Sequence, residues 1–181
     1  MNNITAVILS GGKSIRMKQD KALVKINDKT LLNHQIDKLS PIFDEVIISA
    51  NTSYNCNLKI INDIDRDKGP IGGIYTTLQN INTEKAFIIA VDMPFVTENI
   101  IKKLIDNSND FDITIPIIDE KTEPTCAIYS KSCISTIKKQ LAENNYRLTD
   151  FIAICKTNYV SFSLNDLDYF KNLNYPEDIR K

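Results

Sequence analysis

The chain has 181 residues, 43% of them hydrophobic and 25% charged, with a formal net charge of −1. That balance excludes a disordered chain and gives enough length for a sizeable core. It also excludes nucleic acid as an extended partner, since such binders carry a strong positive excess; a local cluster of cations around one small anion remains open. No apolar run is long enough for a membrane span, because the stretch 87–96 is short and interrupted by Asp92. The opening Ile4-Thr5-Ala6-Val7-Ile8-Leu9 is too short for a secretory leader and lacks preceding basic residues, so it reads as a buried strand. Cys56, Cys126, Cys133 and Cys155 form no CxxC pair, which points to buried thiols in a reducing cytoplasm rather than disulfides or zinc.

Short β-branched runs recur at 4–9, 45–50, 58–61, 86–91 and 112–117. Helical spacing lies between several of them: Leu31, Leu32, Gln35, Ile36 and Leu39; then Ile74, Leu78 and Ile81; then Ile100, Ile101, Leu104 and Ile105. Further on, the pattern predicts a strand at 125–129, helices at 132–142 and 148–155, a strand at 159–163 and a short helix after Pro176. Nearly continuous apolar strands alternating with helices imply a three-layer α/β/α arrangement around a mainly parallel sheet. No repeat or linker interrupts it, so one domain is expected over 1–181. In such sheets ligands sit beyond the carboxyl ends of strands, which directs attention to the residues just after Leu9, Ala50, Ile61 and Val91.

After the first strand comes Ser10-Gly11-Gly12-Lys13-Ser14, which invites comparison with an ATP-binding P-loop. That motif needs a glycine five residues before Gly12, where this chain has Val7 inside a strand. A dinucleotide fingerprint fails too, because no glycine follows Gly12 until Gly69. Two adjacent glycines still let a loop approach a ligand closely, with backbone N–H groups available to phosphate oxygens. Arg16 and Lys21 follow within a dozen residues.

The order Leu9-Ser10-Gly11-Gly12, Arg16-Met17, then Asp20-Lys21-Ala22-Leu23 resembles the first loop of pyrophosphorylase-type nucleotidyltransferases, and later blocks resemble the molybdenum cofactor guanylyltransferases, the MobA family. Those blocks are Asp63 with Gly69-Pro70-Ile71-Gly72-Gly73-Ile74, Val91-Asp92-Met93-Pro94-Phe95-Val96, Glu123-Pro124-Thr125-Cys126-Ala127-Ile128-Tyr129, and Phe170-Lys171-Asn172-Leu173-Asn174-Tyr175-Pro176-Glu177-Asp178. The chain departs from the family pattern at Lys18, where glycine is usual, in a first loop about one residue shorter, and at Tyr175 in place of threonine.

The resemblance implies a Rossmann-like nucleotidyltransferase fold whose N-terminal half binds nucleotide and whose C-terminal half binds molybdopterin. It implies transfer of GMP from GTP to molybdenum-bearing molybdopterin, with Mg²⁺ and release of pyrophosphate, in the cytoplasm. Pterin-maturation proteins and recipient molybdoenzymes are the implied protein partners. Arg16, Lys21 and Asp92 are the expected catalytic residues, with Asp92 as metal ligand. Leu9, Ser10, Gly11, Gly12, Lys21, Asn51, Asp63, Gly72 and Asp92 are expected around the nucleotide. Pro124, Thr125, Asn172 and Asn174 are expected on the acceptor side. A carboxylate ending a buried strand is costly without a partner, and a cation shared with triphosphate oxygens supplies one. The acceptor phosphate is already a nucleophile, so no protein base is required; His34, the only histidine, is expected on a helix surface. Two alternatives remain: a cytidylyltransferase acting on molybdopterin, and a GTP-binding protein without turnover. Glycine at residue 11, where the cytidylyl group has alanine, leaves more room for a purine.

Overall fold

The structure, a computed structural model, describes residues 3–10, 20–62 and 68–174. Its organising element is β1 (Ile4–Leu9), whose alternate side chains enter two separate cores. Ile4, Ala6 and Ile8 face one, and Val7 faces the other. A strand apolar on both faces has to be covered on both, which is why the chain builds three layers.

After Asp20, a 3₁₀ turn (Lys21–Leu23) leads into a small hairpin of β2 (Lys25–Ile26) and β3 (Lys29–Thr30). Asn27 and Asp28 make its two-residue turn with φ of 48° and 64°, a backbone region these residues tolerate. Helix α1 (Leu31–Leu39) follows, its first turn capped by Thr30 Oγ1, which accepts from the Asn33 amide at 3.2 Å. Next come β4 (Val46–Ser49), β5 (Lys59–Ile61) and α2 (Gly69–Asn80). Gly69, at φ +63°, occupies a conformation that favours glycine, and Pro70 stands in the first turn. At Gly73 a Cβ would lie 3.3 Å from Leu9 Cδ2 and 3.8 Å from Ser49 Oγ, so this glycine brings α2 close to the ends of β1 and β4.

β6 (Lys85–Ala90) precedes α3 (Glu98–Asp106), which Thr97 caps and whose Ile100, Ile101, Leu104 and Ile105 are buried. Then come β7 (Ile113–Ile118), β8 (Lys121–Thr122), β9 (Cys126–Ser130), α4 (Ile134–Ala142), α5 (Leu148–Ile154) and β10 (Thr157–Ser161). The strand order is β10-β7-β9-β6-β1-β4-β5, with β8 paired to β7. Every pairing along that path is parallel except the two made by β9, which runs antiparallel to β6 and β7. One core holds α1 and α3 residues with a Phe43–Phe87 ring stack at 5.5 Å; the other holds α2, α4 and α5 residues with a Tyr129–Phe151 stack.

The expected alternation is therefore present, with most strand bounds shifted by a residue. The segment 132–142 begins as a 3₁₀ turn (Lys131–Cys133) before α4, and the strand expected at 159–163 lies at Thr157–Ser161. A 3₁₀ stretch, Leu164–Phe170, comes next, opened by a Ser163–Asp166 capping box. The helix expected after Pro176 lies outside the described residues. Among those described, no helix is long and apolar enough to cross a membrane.

Candidate active site

The carboxyl ends of β6, β1 and β4 lie side by side, because β1 pairs with both neighbours in parallel register. Backbone bonds continue past the strands and hold the next residues together. The Ser10 amide donates to Ser49 O at 2.9 Å, the Val91 amide to Leu9 O at 3.0 Å, and the Ala90 amide to Thr125 O at 2.8 Å. Side chains at residues 10, 51, 92 and 125 thus start from one edge of the sheet, where the chain order reverses about β1 and ligand crevices form.

On this edge Lys21 meets Asp92. Lys21 Nζ donates to Asp92 Oδ2 at 2.6 Å and to Asn174 Oδ1 at 2.9 Å. The two charged side chains are 20% and 16% exposed, so water screens their attraction only in part. Three distant parts of the sequence converge here: the turn after residue 20, the end of β6, and the segment after the last 3₁₀ stretch. The Leu173 amide donates to Asp92 O at 2.9 Å, fixing that last segment to the β6 turn.

Behind this pair, α1 holds the turn that carries Asp92. Gln35, fully buried, donates through Nε2 to Met93 O at 2.9 Å and to Ala90 O at 3.3 Å. Lys38 Nζ donates to Pro94 O at 2.6 Å, and burial lowers its pKa to about 8. On the other side, Tyr54 OH lies 2.7 Å from Ser10 Oγ and donates to Asp20 Oδ2 at 2.9 Å. Burial pushes the phenol up to about 12, so it keeps its proton at neutral pH.

Of the residues expected at the site, Lys21 is in direct contact with both Asp92 and Asn174, so a residue expected on the acceptor side meets one expected around the nucleotide. Leu9 and Ser10 are half-buried at the end of β1, Asn51 is exposed just beyond β4, and Gly72 is buried in the first turns of α2. Pro124 O accepts from Tyr129 OH at 2.6 Å, and Thr125 Oγ1 donates to Met93 Sδ at 3.7 Å, so the strand expected to shape the acceptor side does border the Asp92 turn. Asn172 is half-buried two residues before Asn174. Gly11, Gly12, Lys13, Arg16, Lys18 and Asp63 lie outside the described residues. His34 has a structural role: its Nε2 lies 3.1 Å from the Ile26 carbonyl, which accepts from it.

Sequence reasoning passed over Gln35, Lys38 and Tyr54 as site residues, and placed Asp20 in the first-loop motif without giving it a role. Gln35 carried a signal, a polar residue set within the apolar spacing of α1. Tyr54 reaches partners 34 and 44 positions away, a relation no local pattern reports.

Among the described residues no group of three or more His, Cys, Asp and Glu gathers in a way that could hold a metal ion unaided. Among the described residues, the strand ends bring the Asp92 carboxylate and the Lys21 ammonium together. That set suits a ligand which brings its own anionic oxygens.

Comparison with known proteins bears on the chain as a whole. The family model described as a MobA-like NTP transferase domain matches residues 6–158. A probable molybdenum cofactor guanylyltransferase of Natranaerobius thermophilus is 36% identical over 194 residues, covering 99% of this chain and 95% of that protein. The crystal structure of molybdopterin-guanine dinucleotide biosynthesis protein A from Archaeoglobus fulgidus shares the fold with a TM-score of 0.81 at 23% identity, covering 97% of this chain and 95% of that one. A more distant neighbour from Mycobacterium tuberculosis, solved in complex with manganese, has a TM-score of 0.63 at 14% identity over 88% of each chain. With the family model spanning most of its length, this chain belongs to the MobA-like NTP transferase family.

Proposed function

We propose that this protein is a molybdenum cofactor guanylyltransferase: it transfers GMP from GTP to the terminal phosphate of molybdenum-bearing molybdopterin. An acceptor phosphate oxygen attacks the α-phosphorus, the bond from that phosphorus to the bridging β-oxygen breaks, and pyrophosphate leaves with the bonding electrons. The observation that carries the reading is the Lys21–Asp92 pair at the strand ends, within a family whose relative at 36% identity bears that name.

The chemistry asks for charge neutralisation and alignment more than for proton transfer. The acceptor phosphate is ionised at neutral pH, which agrees with a site centred on a lysine and an aspartate and with a histidine committed elsewhere. Lys21 is the cation for the α-phosphate: its ammonium exchanges Asp92 and Asn174 for phosphate oxygens when substrate binds. Asp92 is the carboxylate that would hold Mg²⁺, a cation usually bound by one or two carboxylates together with substrate phosphates. When bound there, Mg²⁺ supplies charge neutralisation on the triphosphate. Asp92 fits that duty because its carboxylate is only part-buried and its partner Lys21 is one the phosphates can take over.

Leu9 and Ser10 border the nucleotide through their backbone, with Gly11, Gly12 and Arg16 around the phosphates and Asn51, Asp63 and Gly72 toward guanosine. Pro124, Thr125, Asn172 and Asn174 face the acceptor. Residues 1–181 act as one catalytic domain, with nucleotide on the N-terminal half and pterin on the C-terminal half. The setting is the cytoplasm, where protein partners would deliver the pterin and receive the product.

The test is pyrophosphate release measured side by side with GTP, CTP and ATP, each with molybdenum-loaded molybdopterin and Mg²⁺. Preference for GTP, dependent on the acceptor, is the expected result. Preference for CTP would make the enzyme a cytidylyltransferase, and GTP binding without pyrophosphate release would make it a binding protein.

A further inference from the structure

Tyr54 lies in the segment between β4 and β5, and its hydroxyl finds its hydrogen-bond partners elsewhere. It joins two residues that border positions 11–19 in sequence, Ser10 before them and Asp20 after. Each bond has a defined direction. The Asp20 carboxylate accepts, so the phenol proton goes to Asp20 Oδ2, and the Ser10 hydroxyl must then donate to the phenol oxygen. The raised phenol pKa keeps that proton in place through the working range.

Asp20 has a second task. Its Oδ1 accepts from the Ala22 amide at 2.9 Å and so caps the 3₁₀ turn Lys21–Leu23. Tyr54 therefore holds one carboxylate oxygen while the other holds the turn from which Lys21 projects toward Asp92. The turn is only three residues long; the Leu23 and Val24 amides donate to Asp20 O and Lys21 O, and Ala22 is buried in the core, so the Asp20 cap governs the turn's first residue and the direction in which Lys21 leaves it. A carboxylate free to rotate would release its cap on such a turn, and the lysine would lose its fixed starting point.

We propose that Tyr54 is a positioning residue for nucleotidyl transfer, acting through Asp20 to set Lys21 against the reacting phosphate. The assignment rests on the guanylyltransferase reading and adds to it a residue outside the motifs that suggested that reading. The phenol ring belongs to the buried cluster around β1, so removing only the hydroxyl leaves the packing in place.

The experiment uses Tyr54→Phe, Asp20→Ala and the double variant in the full chain. Pyrophosphate release with GTP, Mg²⁺ and molybdenum-loaded molybdopterin is read alongside hydrogen exchange at the Ala22 amide. Loss of a hydrogen bond to a charged group predicts about tenfold lower kcat for Tyr54→Phe, with the acceptor KM within about twofold. The double variant should be no slower than Asp20→Ala, because Tyr54 acts only through that carboxylate. The Ala22 amide should exchange about tenfold faster in Tyr54→Phe than in the parent. Unchanged kcat in Tyr54→Phe, or losses that multiply in the double variant, would overturn the assignment. A parent that turns over no nucleotide would instead refute the guanylyltransferase reading, and the Ala22 exchange rate would then decide whether Tyr54 restrains the turn. Should Tyr54→Phe fold poorly, Ser10→Ala frees the phenol's other contact and is expected to slow turnover by about two- to threefold; a larger loss than that of Asp20→Ala would also overturn the order of action.

Discussion

Replacing Gln35 with leucine tests how the Asp92 turn is held. The side chain is fully buried and its Nε2 donates to Met93 O at 2.9 Å and Ala90 O at 3.3 Å. Leucine has nearly the same reach and no donor. The two carbonyls are not equally affected, because Ala90 O also accepts from the Met93 amide at 3.2 Å. The substitution therefore deprives chiefly the Met93 carbonyl. A buried acceptor left without its donor costs about 1–3 kcal/mol, and the apolar surface gained by leucine returns about 1 kcal/mol. The net expectation is a loss of about 1–2 kcal/mol in urea unfolding, with an unchanged slope against denaturant. Asp92 lies between the two carbonyls, so turnover should fall about three- to tenfold alongside. Gln35→Glu sharpens the comparison: it keeps the oxygen that accepts from Lys38 Nζ at 3.4 Å but turns a second oxygen toward the two carbonyls, so turnover should fall at least as far as with leucine. Gln35→Leu with parental stability and parental turnover would refute the account of how this turn is fixed.

Other consequences can be measured directly. Lys21→Met and Asp92→Asn should each lower pyrophosphate release by about two to three orders of magnitude, the cost of removing a group that stabilises developing charge; turnover near the parental value in either would remove that residue from the chemistry. Lys38 makes stability depend on alkaline pH. Its folded pKa of about 8 lies below the usual 10.5, so the unfolded chain binds the extra proton between those values and stability rises with pH across that window. The gain is at most about 3 kcal/mol, is absent below pH 8, and levels off above 10.5. Urea midpoints for the parent and Lys38→Met should therefore draw apart from about pH 10 down to about pH 8, with the variant flatter; parallel curves would show that Lys38 is solvated.

The sequence made the architecture legible where burial is two-sided. Runs such as Ile4–Leu9 and Lys85–Ala90 are apolar almost throughout, and such strands have few other ways to be covered. The antiparallel direction of β9 was not legible, since strand direction depends on how the chain returns and not on residue pattern. The β2–β3 hairpin was passed over because each strand has only two residues, although Asn27-Asp28 was its turn signal. In Leu164–Phe170 the two leucines are 65% and 46% exposed, so no apolar face announced the stretch.

At the site, Lys21 was legible through the resemblance of its loop to nucleotidyltransferases, and Asp92 also because a carboxylate ending a buried strand needs a partner. Their direct contact, the bond from Lys21 to Asn174, and the hold on them by Gln35, Tyr54 and Asp20 depend on tertiary approach across 34 to 153 positions. Those supporting residues look like ordinary surface or helix side chains in sequence and acquire a role only when the strand ends are assembled.

The central claim is that Lys21 and Asp92 together receive the triphosphate and its cation. A crystal grown with a non-hydrolysable GTP analogue and Mn²⁺, examined by anomalous scattering, tests it most directly. The account predicts a manganese peak against the Asp92 carboxylate and the Lys21 ammonium moved onto the α-phosphate. Manganese and phosphates bound away from both side chains, with the Lys21–Asp92 contact still closed, would contradict it.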